Sequence, residues 1–132
     1  MRSAVKLTLF ISALTAAGVI AAQGPALAML AKLERGEWAV SMRDGGPSRS
    51  LCIGDPAKLL QLGHGGSSRC GRTVIEDTPR KVTVQHTCRG SGYGRTTIRR
   101  ESDALVQIES QGVANGRPFD FGAEARRVGT CR

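Results

Sequence analysis

A chain of 132 residues carries a formal charge of +8 and only 4% aromatic residues. That length holds one ordinary domain, and so few rings exclude an aromatic-rich core. Its 17 glycines suit turns and discourage long helices.

The chain opens with Arg2 and Lys6, then runs from Leu7 to Ala22 without a charge. Gly24-Pro25 breaks that run, and Ala26-Leu27-Ala28 supplies a small-x-small triplet. Basic, apolar and small-residue regions in that order predict a secretory signal peptide over 1–28. The apolar run is shorter than the roughly 20 residues of a membrane-spanning helix. No second run follows, so no transmembrane span is expected after cleavage. No Cys follows the run, so no lipid anchor is expected at that place. Cutting after Ala28 leaves a single domain over 29–132, and losing Arg2 and Lys6 lowers the charge from +8 to +6. The expected location is the periplasm, or outside the cell.

Gly36 to Arg43 alternates, with Trp38, Val40 and Met42 on one face. This is the pattern of a half-buried strand, and it makes Trp38 the expected anchor of the core. Asp44-Gly45-Gly46-Pro47 is a turn, and Ser50 to Ile53 reads as the return strand of a hairpin. Asp55-Pro56 then opens the single convincing helix, with Asp55 as N-cap and Pro56 in the first helical position. It covers Ala57 to Leu62 and ends at Gly63, before a His64-Gly65-Gly66-Ser67-Ser68 loop.

A meander follows. Strands are expected over Arg72–Asp77, Lys81–Cys88, Tyr93–Arg100, Ala104–Ser110 and around Phe119 and Phe121, with Ala123–Val128 as a continuation of the sheet. Val82, Val84, His86 and Cys88 share one face. Asn115-Gly116 marks a tight turn. The fold class is therefore mainly β: one antiparallel meander sheet, curved or barrel-like, with one short helical insertion. Open sheet and closed barrel both remain compatible with the pattern.

Cys52, Cys70, Cys88 and Cys131 are even in number in a small exported chain, which predicts two disulfides. Four cysteines allow three pairings, and spacing does not choose among them. The favoured one is Cys52–Cys70, clipping the helical insertion, with Cys88–Cys131 tying down the C-terminus. A metal site of Cys with His64 or His86 is the rival reading. It is set aside because there is no CxxC and no HxxxH. No metal and no cofactor are expected.

Gly36-Glu37-Trp38, the four spaced cysteines, Gly92-Tyr93-Gly94-Arg95-Thr96-Thr97-Ile98 and the closing Arg127-Val128-Gly129-Thr130-Cys131 together resemble a family of small exported bacterial proteins, domain of unknown function 3617. The resemblance spans most of 33–132 and rests on the order of short motifs. Family members usually read Gly-Leu-Trp or Gly-x-Trp-Glu; here Ala39 follows Trp38. The resemblance implies export into a Gram-negative envelope. It carries over no catalytic residue, because the family has no established activity.

No constellation of catalytic residues emerges. His64-Gly65-Gly66 is similar to an esterase oxyanion loop, but no G-x-S-x-G elbow exists, and Ser91 in Gly90-Ser91-Gly92 has the wrong spacing. His86, on a face with Val82 and Val84, reads as a packed histidine. Glu76-Asp77 and Glu101/Asp103 sit at turns as solvated acids. The basic residues are Arg89, Arg95, Arg99, Arg100, Arg117, Arg126 and Arg127. Among them Arg95, Arg99, Arg126 and Arg127 are the candidate anion-binding residues, with Arg95 and Arg99 two pleats apart on one strand face. An anionic envelope component suits such a patch better than nucleic acid outside the cytoplasm. The expected function is a non-catalytic, monomeric, envelope-associated binding module. The alternatives are a carrier of a small apolar ligand in a curved-sheet cavity and a small hydrolase.

Overall fold

A computed structural model describes residues 27–64 and 70–132. The leader reading falls outside the described residues up to position 26, as does the glycine loop after His64. The strands are β1 (Gly36–Met42), β2 (Arg49–Ile53), β3 (Cys70–Asp77), β4 (Lys81–Cys88), β5 (Gly92–Ser102), β6 (Leu105–Ala114) and β7 (Arg117–Gly129). Two 3₁₀ segments accompany them, η1 (Leu30–Lys32) and η2 (Pro56–His64).

All seven strands join one antiparallel sheet in the order β2-β1-β7-β6-β5-β4-β3. Among the described residues β2 and β3 are its two edges, so the sheet is open and not a closed barrel. Hairpins with short polar turns make every sequential pairing. Asp44 Oδ1 accepts from Gly46 N–H at 2.9 Å to shape the first turn. At the last, Ala114 faces Arg117 across a two-residue loop. Asn115 and Gly116 have φ of 51° and 77°, the left-handed pair that a type I′ hairpin requires. The pairing that sequence neighbours could not supply is β1 with β7, running from Glu37↔Gly129 to Met42↔Ala123. The two pieces read from the sequence around Phe119 and Ala123–Val128 are one continuous strand.

One face of the sheet is apolar and covered. Trp38, Val40, Val82, Val84, Ile98, Val106, Ile108, Ala123 and Ala125 are all fully buried there. Met29, Leu30 and Leu33 from the η1 region and Leu59 and Leu60 from η2 fill the space above it. Trp38 also donates its indole N–H to the Glu34 carbonyl at 3.0 Å, which satisfies the one polar atom its burial would strand. Leu27 is buried in the same cluster. The expected cleavage point thus lies between Leu27 and the fully buried Met29.

Asp55 caps η2 as expected, accepting from Ala57 N–H at 2.9 Å. The insertion is 3₁₀ in character and kinks at Gln61, where φ is −119° and ψ 22°. Among the described residues no helix is long and apolar enough to cross a membrane.

The favoured cysteine pairing is corrected. The disulfides are Cys52–Cys131 and Cys70–Cys88. Strand order explains both. Cys52 on β2 and Gly129 on β7 flank the same residue of β1, Glu37, so the C-terminal tail reaches Cys52 directly. Cys70 and Cys88 face each other across the β3–β4 ladder. Cys52 and Cys70 stand on opposite edges of the sheet. Two strands separate Cys88 from β7, so neither favoured pair could close.

Candidate functional site

The face of the sheet that no other described residue covers is polar. Across it, Gln85, Arg95, Gln111 and Asp120 form one rung over β4, β5, β6 and β7. Two adjoining depressions of about 370 and 420 Å³ meet on this rung and share Arg95, Gln111 and Asp120. The larger adds Gln85, Tyr93 and Phe119; the smaller adds Arg43, Thr97 and Glu109. Both volumes fall in the size range of small-molecule sites. Tyr93 is 54% exposed, an unusual degree for a large ring.

The four candidate arginines do not act alike here. Arg95 and Arg99 do share the outer face of β5. Arg99 lies 3.9 Å from Glu101, and Arg126 lies 3.4 Å from Glu124. Arg127 turns to the opposite side of β7 from Arg126. There it meets Glu34 at 3.5 Å and donates to the Arg35 carbonyl at 2.8 Å. Arg43 pairs with Glu109 at 3.3 Å and donates to Gln107 at 2.8 Å. Hydrogen bonding from Gln107, then the Arg126 and Arg43 charges, hold the Glu124 carboxyl below its ordinary value. Arg43, Arg99, Arg126 and Arg127 are thereby each paired with a carboxylate. Among the described residues Arg95 is the groove cation without a carboxylate in ion-pair distance.

On the covered face, η2 ends against β4 with a second constellation. His64 Nε2 lies 3.1 Å from the Val113 carbonyl, and His64 Nδ1 lies 3.1 Å from His86 Nε2. A carbonyl only accepts, so His64 carries its proton on Nε2. Its Nδ1 then accepts, and His86 donates from Nε2. The remaining His86 atom, Nδ1, holds a bare lone pair and has no hydrogen-bond partner. Burial foremost, and the charge of His64 beside it, push the His86 pKa below its ordinary value.

Glycine makes the room. A Cβ on Gly94 would come within 3.0 Å of His86 Nε2, and one on Gly63 within 2.7 Å of the Phe119 ring. Phe119 in turn packs edge-on to His64, with centroids 5.3 Å apart. Nearby, Thr96 donates to the Leu60 carbonyl at 2.9 Å and meets Ser110 at 2.7 Å. Those bonds lock η2 over β5 and β6.

Sequence reading identified His86 as packed but left His64 in a loop, so their contact was missed. The spacing of 22 residues carries no signal of it. Cys88 joins the pair: ligand atoms of His64, His86 and Cys88 lie within 4.8 Å of one another. Strand pairing and the η2 turn supply the proximity that close spacing in the chain would otherwise announce.

Comparison with known proteins finds no matching family model, no matching curated protein and no matching solved structure.

Proposed function

We propose that the chain is an exported, disulfide-stapled, non-catalytic module that binds an acidic glycan of the bacterial envelope in the groove around Arg95. The observation that carries the reading is Arg95 itself: among the described residues it has no carboxylate in ion-pair distance, and it lies in a groove walled by the Tyr93 ring, the Gln85 and Gln111 amides and Asp120. A guanidinium takes a carboxylate or phosphate through two parallel hydrogen bonds. Planar amides suit hydroxyl groups, and an exposed aromatic face suits the apolar face of a sugar ring. The leader pattern, the two disulfides and the resemblance to exported bacterial proteins support the compartment.

The test is a titration of periplasm-purified protein with polygalacturonate fragments and with neutral oligosaccharides of equal length, followed by calorimetry. Acidic fragments are expected to bind, with affinity falling as salt rises. Arg95→Glu should abolish that binding, and Arg99→Glu should leave most of it. Equal binding of neutral and acidic fragments would overturn the reading. Binding of anionic phospholipid vesicles with the same Arg95 dependence, and of no oligosaccharide, would transfer the site to a lipid headgroup.

A further inference from the structure

We propose that the Cys70–Cys88 disulfide and the His64–His86 pair form a redox-gated zinc site. The disulfide closes the site in its oxidised form, and a Cys₂His₂ zinc centre replaces it after reduction.

Three observations converge on this. His64, His86 and Cys88 are all buried, with ligand atoms within 4.8 Å of one another. Cys70 brings a second sulfur, bonded to that of Cys88 at 2.02 Å. Two imidazoles and two sulfurs are the donor set of a structural zinc ion. Next, the His64 Nε2–H is already committed to the Val113 carbonyl. A metal-bound imidazole characteristically donates its other N–H to such an acceptor, which fixes the ring and leaves the opposite nitrogen to the ion. The third observation is that His86 Nε2 lies 3.1 Å from His64 Nδ1, close to the separation of two nitrogens bound to one tetrahedral zinc ion. The ion takes the place of the proton they share, which passes to the unpartnered lone pair on His86 Nδ1.

Charge permits zinc in this buried site. Two thiolates and two neutral imidazoles around Zn²⁺ sum to zero, as a buried site requires.

The balance is simple. A dithiol protein delivers two electrons and two protons to the Cys70–Cys88 bond and becomes a disulfide itself. The two new thiols release two protons as Zn²⁺ binds. Oxidation by a disulfide carrier reverses both steps and expels the ion. Cys88 is buried, while Cys70 on edge strand β3 is partly exposed. An incoming thiolate therefore reaches the Cys70 sulfur first.

The test uses the full chain carrying Cys52→Ala and Cys131→Ala, so that only the site cysteines remain. It is reduced with a phosphine under argon and titrated with Co²⁺, then Zn²⁺. One equivalent of Co²⁺ should give the intense visible bands of a tetrahedral site together with thiolate-to-metal charge transfer, and Zn²⁺ should displace it. His64→Gln and His86→Gln should each remove the tetrahedral spectrum, and the disulfide form should not show it. A reduced protein that gives no such spectrum, folded or unfolded, overturns the proposal. So does a spectrum indifferent to both histidine substitutions. Should either substitution prevent folding, the ring ¹⁵N shifts of His64 and His86 in the parent protein decide: both must move on zinc binding. Unmoved rings would also overturn it.

Discussion

His86 shows how one side chain records the balance between packing and polarity. Its ring shares a strand face with Val82 and Val84, and burial, then the charge of His64 beside it, lower its pKa. The sign of the pH effect follows from that. Folding lowers the His86 pKa, so below the unfolded value of about 6.5 the unfolded chain takes up a proton that the native ring resists. Stability is therefore complete above that value and falls as pH drops, levelling once the native ring also protonates. The slope from this one group is at most about 1.4 kcal/mol per pH unit. Urea unfolding of the oxidised, metal-free protein between pH 8 and pH 5 should show that fall. The same series on His86→Gln should be flatter by that amount; parallel curves would show that His86 does not carry the effect.

At the scale of elements, β1 holds the fold together. It is the only strand that pairs with both β2 and β7, and its inner face carries Trp38. Replacing Trp38 with Ala removes a fully buried ring and leaves the Glu34 carbonyl without its indole partner. The expected cost is roughly 3–5 kcal/mol, measured by chemical denaturation. A near-wild-type midpoint would mean that the cavity collapses without loss. The edge strands show a different economy. β2 has only five residues, and β3 carries a bulge between Val74 and Glu76 that turns Ile75 outward. Short and irregular edges discourage pairing with a second chain.

For the whole molecule, the Cys52–Cys131 bridge closes a separation of 79 residues and Cys70–Cys88 one of 18. In the chain-entropy model these are worth about 4.5 and about 3 kcal/mol. Small domains have a total stability of about 5–15 kcal/mol, so the long bridge matters greatly. Both of its half-cystines are exposed, so their burial adds little. Cys52→Ala with Cys131→Ala should therefore lower the melting temperature substantially, as read by calorimetry. A small change would show that the β1–β7 ladder already restrains the tail. The arginines follow the same molecular logic. Glu101 and Glu124 on the same strands pair with Arg99 and Arg126, Glu34 pairs with Arg127, and among the described residues Arg95 has no carboxylate in ion-pair distance.

Period-two alternation and turn residues were enough to place most strands, the Asp55 cap, the inward Trp38 and the antiparallel meander, because those depend on neighbours a few residues apart. Equally local, the leader pattern and the even cysteine count yielded the expectation of export with two bridges. Strand order is a long-range property. The β1–β7 pairing brings Cys131 to Cys52 and the β3–β4 ladder sets Cys70 against Cys88, whereas clipping the insertion and tying down the C-terminus pointed to the wrong partners. The arginine patch was likewise legible as a composition and not as a field: Glu101 and Glu124 stand two residues from Arg99 and Arg126 on the same strands, but the pairing of Arg127 with Glu34 and the position of Arg95 in the groove are decided by the fold. The His64–His86 contact across the end of η2 was invisible for the same reason. A side chain's chemistry is written at its own position, but the partner that gives it a role is chosen by the fold.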